Sequence, residues 1–130
     1  MGDRAVIGFK ADENSTPIWL YMHHRGLVRH SLLATAIDAA SGRWDDPAYA
    51  TRIAISSIVG NNWSDETGFG LSCGDDGFPS PDWNDIPVVI WSDQLVEIYN
   101  ERDMRTPIYH LAFHEYSAAR MREALEVLVF

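Results

Sequence analysis

The residues with the clearest chemical potential in this sequence are arginines that stand close to aromatic side chains. Trp19, Tyr21 and His23 alternate along one segment, which leads directly into Arg25 and Arg29. A guanidinium group binds phosphate or carboxylate through two parallel hydrogen bonds, and an aromatic ring can stack on a nucleobase. This segment could therefore hold a base and its phosphates.

A second arginine-bearing segment, residues 99–105, is predicted to be a polar turn between two strands. If both segments meet in space, aromatic faces and arginines could clamp one ligand. The predicted ligand-binding residues are Tyr21, Arg25, Arg29, Phe69, Phe78, Arg102 and Arg105. The competing interpretation is structural: Arg102 pairs with Glu101 or Asp103, and the aromatic residues of the first segment pack beneath helices.

Other patterns that could support catalysis or metal binding are incomplete. His110 and His114 share a face, but the sequence contains no H-E-x-x-H or comparable zinc signature. The loop from Asp75 to Asp85 resembles a calcium loop, yet its twelfth position is Ile86, where a bidentate Glu is needed. Neither a nucleophile elbow nor a P-loop is present. We therefore predict a non-enzymatic protein without metal or cofactor, with surface or capping histidines and a solvated acidic loop.

Periodic hydrophobicity predicts the elements that position these side chains. Alternating or continuous short apolar runs predict strands at residues 4–10, 17–23, 68–73, 86–91, 95–99 and 107–113. Helical spacing predicts a helix with apolar positions from Leu33 to Ala40, a second helix beginning at Pro47, and a last helix at 115–128. This order, ββααββββα, predicts a single α+β domain over residues 1–130, with helices packed on one face of a mainly antiparallel sheet.

Some side chains in these elements are expected to be structural. Tyr109, Leu111 and Phe113 alternate along the last strand, which predicts that they face the core. Arg52, on the second helix, is expected to tie the two helices together through the acidic pair 45–46.

The net charge of −9 comes almost entirely from residues 61–100, which contain eight Asp or Glu residues and no Lys or Arg. Binding of duplex nucleic acid needs many cationic contacts to phosphates, so the charge argues against such a partner. The same segment suggests an alternative function, an acidic surface that mimics nucleic acid and inhibits a host protein. Its apolar anchors would be Trp63, Phe78 and Trp83.

Cysteine usage and hydropathy indicate the setting of the protein. Cys73 is the sole cysteine, so no intramolecular disulfide can form. No segment approaches the roughly 18 apolar residues that a membrane-spanning helix needs. We therefore expect a cytoplasmic protein with no membrane partner.

Several motifs resemble those of small phage and prophage proteins: GDRA at 2–5, WLYMH at 19–23, RWDDPAY at 43–49 and ETGFGLS at 66–72. In size and element order the chain is also similar to the sponge proteins that counter Thoeris defence. This resemblance implies a non-enzymatic homo-oligomer in the host cytoplasm that sequesters a small cyclic nucleotide signal of the cyclic ADP-ribose type. The acidic inhibitor, of the anti-restriction or anti-CRISPR kind, is the alternative.

Overall fold

The computed structural model describes residues 3–75 and 81–117 of the chain. The strands in these residues are β1 (Ala5–Lys10), β2 (Ile18–Met22), β3 (Phe69–Cys73), β4 (Asp85–Ile90), β5 (Leu95–Asn100) and β6 (Tyr109–Ala112). The helices are α1 (Arg29–Ala39), α2 (Pro47–Val59) and α3 (Phe113–Ser117). The order confirms the predicted α+β class and the sequence ββααββββα. Most of the helix predicted at 115–128 lies outside the described residues.

The described strands form one sheet in the order β3-β2-β1-β4-β5-β6. Neighbouring strands are antiparallel except for β1 and β4, which are parallel. The sheet is therefore mainly antiparallel, as predicted, and β3 and β6 are its edges. The ends of β2 and β5 lie at the same end of the sheet, but β1 and β4 stand between them. Since neighbouring strands are about 4.8 Å apart, β2 and β5 are separated by about 14 Å.

The main core lies between the helices and one face of the sheet. Trp91, which directly follows β4, is fully buried, and its indole N–H donates to Thr51 Oγ1 at 2.9 Å. The ring of Phe113 meets the ring of Trp91 edge-on, with centroids 5.7 Å apart. Leu111 and Phe113 face this core as predicted. The prediction for Tyr109 is wrong: it is the first residue of edge strand β6 and is exposed.

A smaller apolar cluster lies on the opposite face of the sheet. Its buried members are Val6, Trp19, Ile86 and Val88. Trp19 crosses β1, because a Cβ atom at Gly8 would stand only 2.5 Å from Trp19 Cζ3. The indole N–H of Trp19 donates to the carbonyl oxygen of Gly74 at 2.6 Å. Trp19 is therefore buried on the face opposite the helices, and not beneath them.

Candidate functional site

Arg25 and Phe69 are two predicted ligand-binding residues that the structure brings together. The guanidinium carbon of Arg25 lies 5.6 Å from the centroid of the Phe69 ring, near the start of β3. Arg25 adopts a left-handed backbone conformation, with φ of 74°. Its Nη1 atom donates to the carbonyl oxygen of Ile58 at 3.4 Å, which orients the side chain towards the end of α2.

Tyr21 lies on the other face of the sheet from Phe69. Phe69 pairs with Met22, and residues directly opposite each other on antiparallel strands point to the same face. Tyr21, one residue earlier on β2, therefore points away from that face, and its hydroxyl is hydrogen-bonded to His23 Nδ1 at 2.8 Å. Tyr21 and Phe69 cannot form two walls of one pocket.

The prediction that Arg29 binds a ligand is wrong, because its side chain is fully buried and cannot reach a ligand in solvent. Its Nη1 donates to the carbonyl oxygen of Gly26 at 2.7 Å, and its Nη2 donates to Asp85. Its guanidinium carbon stands 4.7 Å from the centroid of the Trp83 ring. Arg29 is therefore a structural residue that joins the start of α1 to the start of β4.

Arg102 and Arg105 follow β5 and are both exposed. Arg105 lines a cavity of about 280 Å³ on the face opposite the helices, together with Trp19. Its Nε donates to Asp103 Oδ1 at 3.3 Å, and the lining of the same cavity also includes Lys10 and the carboxylate of Asp75. The described residues of the predicted set are thus distributed over separate sites instead of forming one clamp. Phe78 lies outside the described residues.

A buried polar cluster connects α1, β4 and α3, and we call it the Asp85 network. The Asp85 carboxylate accepts hydrogen bonds from Arg29 and from His30 Nε2, the latter at 2.7 Å. His30 Nδ1 is hydrogen-bonded to the hydroxyl of Tyr116 at 2.6 Å. Because an ionised carboxylate can only accept, His30 Nε2 must carry a proton.

The charge state of Asp85 follows from these contacts. Burial raises the pKa of Asp85, but the hydrogen bond from His30 and the positive charge of Arg29 outweigh burial and hold the pKa below its ordinary value. All four side chains are buried, so the network links α1, β4 and α3 inside the fold.

Two predictions are wrong at one residue each, because His30 and Asp85 are buried. The other four histidines are exposed as predicted, and so are Asp75 and Asp82 of the acidic loop. The sequence did carry a signal for the burial of His30 and of Asp85. His30 precedes Leu33 and Ile37 by three and seven residues, which places it on the buried side of α1. Asp85 directly precedes the continuous apolar run IPVVIW, which marks a strand buried on both faces.

The acidic segment 61–100 is only partly a free acidic surface. Asp85 is buried, and Asp82 is bound by Arg4, whose Nη2 donates to its Oδ1 at 2.9 Å. Trp83, a predicted anchor, is only partly exposed and donates its indole N–H to Asp3 Oδ1. Trp63, in contrast, is exposed.

An open cleft of about 480 Å³ lies between α2 and the strands β1, β2 and β3, and we call it the α2 cleft. Its walls are mostly apolar. They are formed by Phe9, Ala11, Ser15, Thr16, Ile18, Pro47, Ala48, Thr51, Arg52, Ile55, Trp63 and Leu71. Small-ligand sites commonly have about 300–1,000 Å³ and this mainly apolar character with a few polar groups.

Three large apolar side chains of the α2 cleft are exposed to solvent. Ile18 is 40% exposed, Trp63 53% and Leu71 56%, which is unusual for three large apolar side chains close together. Trp63 and Leu71 also line a second compartment of about 220 Å³ that extends along β3 towards Phe69.

Polar groups of the α2 cleft are few. Arg52 is an exposed residue of α2 that lines the cleft, and within residues 3–75 and 81–117 it forms no ion pair. The predicted ion pair of Arg52 with the acidic pair 45–46 is therefore not formed in the described part of the chain. Ser15 and Thr16 add hydroxyl groups from the turn between β1 and β2. Sequence reasoning missed this site because Ser15, Thr16 and Ile18, which lie about 30 residues or more before α2 in the sequence, meet it only in the folded chain.

Two further observations concern metals and membranes. In the part of the chain that the structure describes, no group of three or more His, Cys, Asp or Glu side chains is arranged to hold a metal ion. Among the same residues, no helix has the length and apolar character needed to cross a membrane.

Comparison with known proteins gives no match to a family model, to a curated protein or to a solved structure. The resemblance to phage proteins and to anti-Thoeris sponges therefore stays a prediction.

Proposed function

We propose that this protein is a non-enzymatic binding protein that sequesters, in the α2 cleft, a small ligand with a flat apolar group and an anionic group. The observation that carries the proposal is the combination of an open apolar cleft of about 480 Å³ with an arginine in its lining. Apolar walls favour a flat ring system, and a guanidinium group favours a phosphate or carboxylate.

The apolar part of the ligand is supported by Trp63, Ile18 and Leu71. All three are exposed to solvent, so a ligand would remove apolar area from water on both sides of the contact. Each square ångström of apolar surface buried contributes about 25 cal/mol. A planar base or another aromatic ring system offers the flat surface that the Trp63 indole can stack against.

The anionic part of the ligand is supported by Arg52. A charge-assisted hydrogen bond contributes about 1.5–3 kcal/mol, and a bidentate pair adds directional specificity. The hydroxyls of Ser15 and Thr16 can donate to further oxygen atoms of the ligand.

Binding without cleavage is supported by the composition of the cleft. Its lining, within the described residues, contains hydroxyls and one guanidinium but no carboxylate, imidazole or thiol. Acid–base and nucleophilic catalysis depend on such groups, either directly or to activate a hydroxyl. The cleft is therefore suited to holding a ligand unchanged.

A nucleotide satisfies both requirements, with its base against Trp63 and its phosphate at Arg52. The specific form of the proposal is a phage anti-defence protein, a homo-oligomer in the host cytoplasm, that sequesters a cyclic ADP-ribose-type signal. Calorimetry with cyclic ADP-ribose isomers, cyclic dinucleotides and AMP tests this directly. Heating the complex and analysing the supernatant by mass spectrometry should recover the ligand intact, and light scattering during the titration measures assembly.

The substitution R52Q is expected to weaken binding of the nucleotide about tenfold, which corresponds to about 1.4 kcal/mol. Glutamine keeps a polar side chain of similar reach but removes the charge. The matched control is R43Q, since Arg43 is exposed and stands over the ring of Tyr49, outside the cleft lining. Both variants are measured by calorimetry under the same salt conditions.

Three outcomes would contradict this function. One is that no compound of the panel binds, and another is that the recovered nucleotide has been hydrolysed. The third is that R52Q and R43Q bind the nucleotide equally well, which would place its anionic group away from the α2 cleft.

A further inference from the structure

The edge strand β3 presents backbone groups that β2 does not use. The N–H of His23 donates to the carbonyl of Gly68, and the N–H of Gly74 donates to the carbonyl of Pro17. Pairing alternates along an antiparallel ladder, so the even-numbered residues of β3 face β2. Phe69, Leu71 and Cys73 therefore direct their N–H and C=O groups away from the sheet.

The sequence of strand β3 also lacks the residue types that usually protect a sheet edge. Its sequence, FGLSC, contains neither a charged residue nor a proline, whereas natural edge strands are commonly blocked by such residues. The other edge, β6, bears His110, which is paired with Glu97 at 3.1 Å, and β6 leads directly into α3. The exposed side chain of Leu71 belongs to β3, and the exposed side chain of Trp63 lines the same cleft as Leu71.

Acidic residues stand on both sides of β3 along the chain. Asp65 and Glu66 precede it, Asp75 follows it, and all three are exposed. Arg25 lies near the same strand, but it is directed to the ring of Phe69 and the end of α2. The ends of this edge are therefore complementary to a positively charged partner.

The same charges argue against a second copy of this chain at β3. Antiparallel pairing of two copies would bring Asp75 of one chain towards Glu66 of the other, and parallel pairing would align identical acids. Like charges opposite each other destabilise a strand pair, and each chain carries a net charge of −9. A segment with Lys or Arg at its ends has no such repulsion.

We propose that β3 binds an extended, basic segment of a partner protein, which adds to the sheet as a further strand next to β3. Main-chain hydrogen bonds to Phe69, Leu71 and Cys73 would hold the segment, and alternate apolar side chains would lie against Leu71 and Trp63. Lysines or arginines at its ends would pair with Asp65, Glu66 and Asp75. This surface goes beyond the small-ligand site, because it uses the backbone edge of β3.

The direct test uses a fluorescent peptide of sequence KVTVTVK and its charge-reversed counterpart EVTVTVE. We expect the basic peptide to bind in an anisotropy titration and the acidic peptide to bind at least about tenfold more weakly. In hydrogen exchange, the basic peptide should slow exchange of the amides of Phe69, Leu71 and Cys73. The amides of Gly70 and Ser72 face β2, so the peptide should change their exchange much less.

A variant pair at Cys73 separates backbone pairing from side-chain contact. Cys73→Pro removes one outward N–H, and proline is tolerated on an edge strand where the N–H faces solvent. Cys73→Ser keeps the N–H and serves as the control. C73P is expected to bind KVTVTVK about tenfold more weakly than C73S does, and circular dichroism melting establishes that both variants are folded.

Four results would overturn this proposal. The first is that KVTVTVK does not bind at millimolar concentration, the second is that C73P binds it as well as C73S does, and the third is that both peptides bind equally. The fourth is self-association of the unliganded chain with protection of the Leu71 amide, which would assign the edge to a second copy. Cys73 does not line the α2 cleft, so nucleotide binding by C73P is an independent measurement of the small-ligand function.

Discussion

The substitution Asp85→Asn is expected to lower the free energy of unfolding by about 3–5 kcal/mol, because it leaves a buried guanidinium without a counter-ion. Arg29 is fully buried and Asp85 is 2% exposed, so water cannot replace the lost charge. Asparagine has nearly the same volume as aspartate, which makes a packing defect a minor contribution. Urea denaturation at pH 7, followed by tryptophan fluorescence, measures the change.

Asp82→Asn is the matched control for D85N. Asp82 is also paired with an arginine, Arg4, but that pair is exposed to solvent, where ion pairs contribute little. If D85N and D82N lose the same stability, the assignment of the Asp85 network is incorrect. A second check adds Arg29→Met to D85N, which removes the unpaired charge and should recover part of the loss.

The stability difference between the native chain and D85N should also depend on pH. The pKa of Asp85 is below its ordinary value, so its contribution is fully present above the pKa of the unfolded chain, about 3.9. It is lost as the pH falls through the lower pKa of the folded chain. The two proteins should therefore differ most in stability at neutral pH and converge in acid below about pH 4. Urea titrations from pH 7 to pH 3 measure this, and a constant difference over that range would contradict the ion pair.

The substitution Gly26→Ala should have the second large effect, a loss of about 3 kcal/mol of unfolding free energy, at the upper end of overpacking costs. A Cβ atom at Gly26 would stand 2.5 Å from Trp83 Cδ1 and 2.6 Å from the carbonyl oxygen of Asp3. Neither neighbour can move freely. The N–H of Gly26 donates to that carbonyl at 2.9 Å, and the Trp83 indole donates to Asp3 Oδ1 at 2.7 Å.

Gly42→Ala is the control for G26A, because a Cβ atom at Gly42 would meet nothing within 4 Å. It is expected to change stability by less than about 1 kcal/mol. Thermal and urea unfolding of both variants give the comparison. Equal stability of G26A and G42A would show that Trp83 does not pack on Gly26. Trp83→Ala should relieve the clash in G26A. The loss of unfolding free energy that Trp83→Ala causes should therefore be smaller in G26A than in the native chain.

Local sequence patterns were sufficient for the elements but not for the predicted clamp. The αα pair between β2 and β3 follows from helical spacing, Pro47 at the first turn and Gly60 after the last. The predicted clamp failed because it needed β2 and β5 to be neighbours. The register between strands that are distant in sequence places β1 and β4 between them.

Burial of charged residues was the second point that sequence patterns did not resolve. The local sequence pattern of an arginine near aromatic residues is the same whether the arginine binds a ligand or is buried in a core. Arg29 is buried because Asp85, 56 residues away in the sequence, supplies the counter-charge. Arg52 is exposed in the α2 cleft, where the described residues offer it no carboxylate partner.

The sequence by itself determined the α+β class, the order of the elements and the concentration of negative charge in residues 61–100. These are local properties, because periodicity and charge are carried by neighbouring residues. Only the tertiary structure decided which arginines are accessible, that the α2 cleft exists, and that β3 is an edge of the sheet formed by the described strands, with acids at both ends. Those features depend on contacts between residues far apart in the chain, which arise when β1 pairs with β4 and α2 packs beside the edge of the sheet.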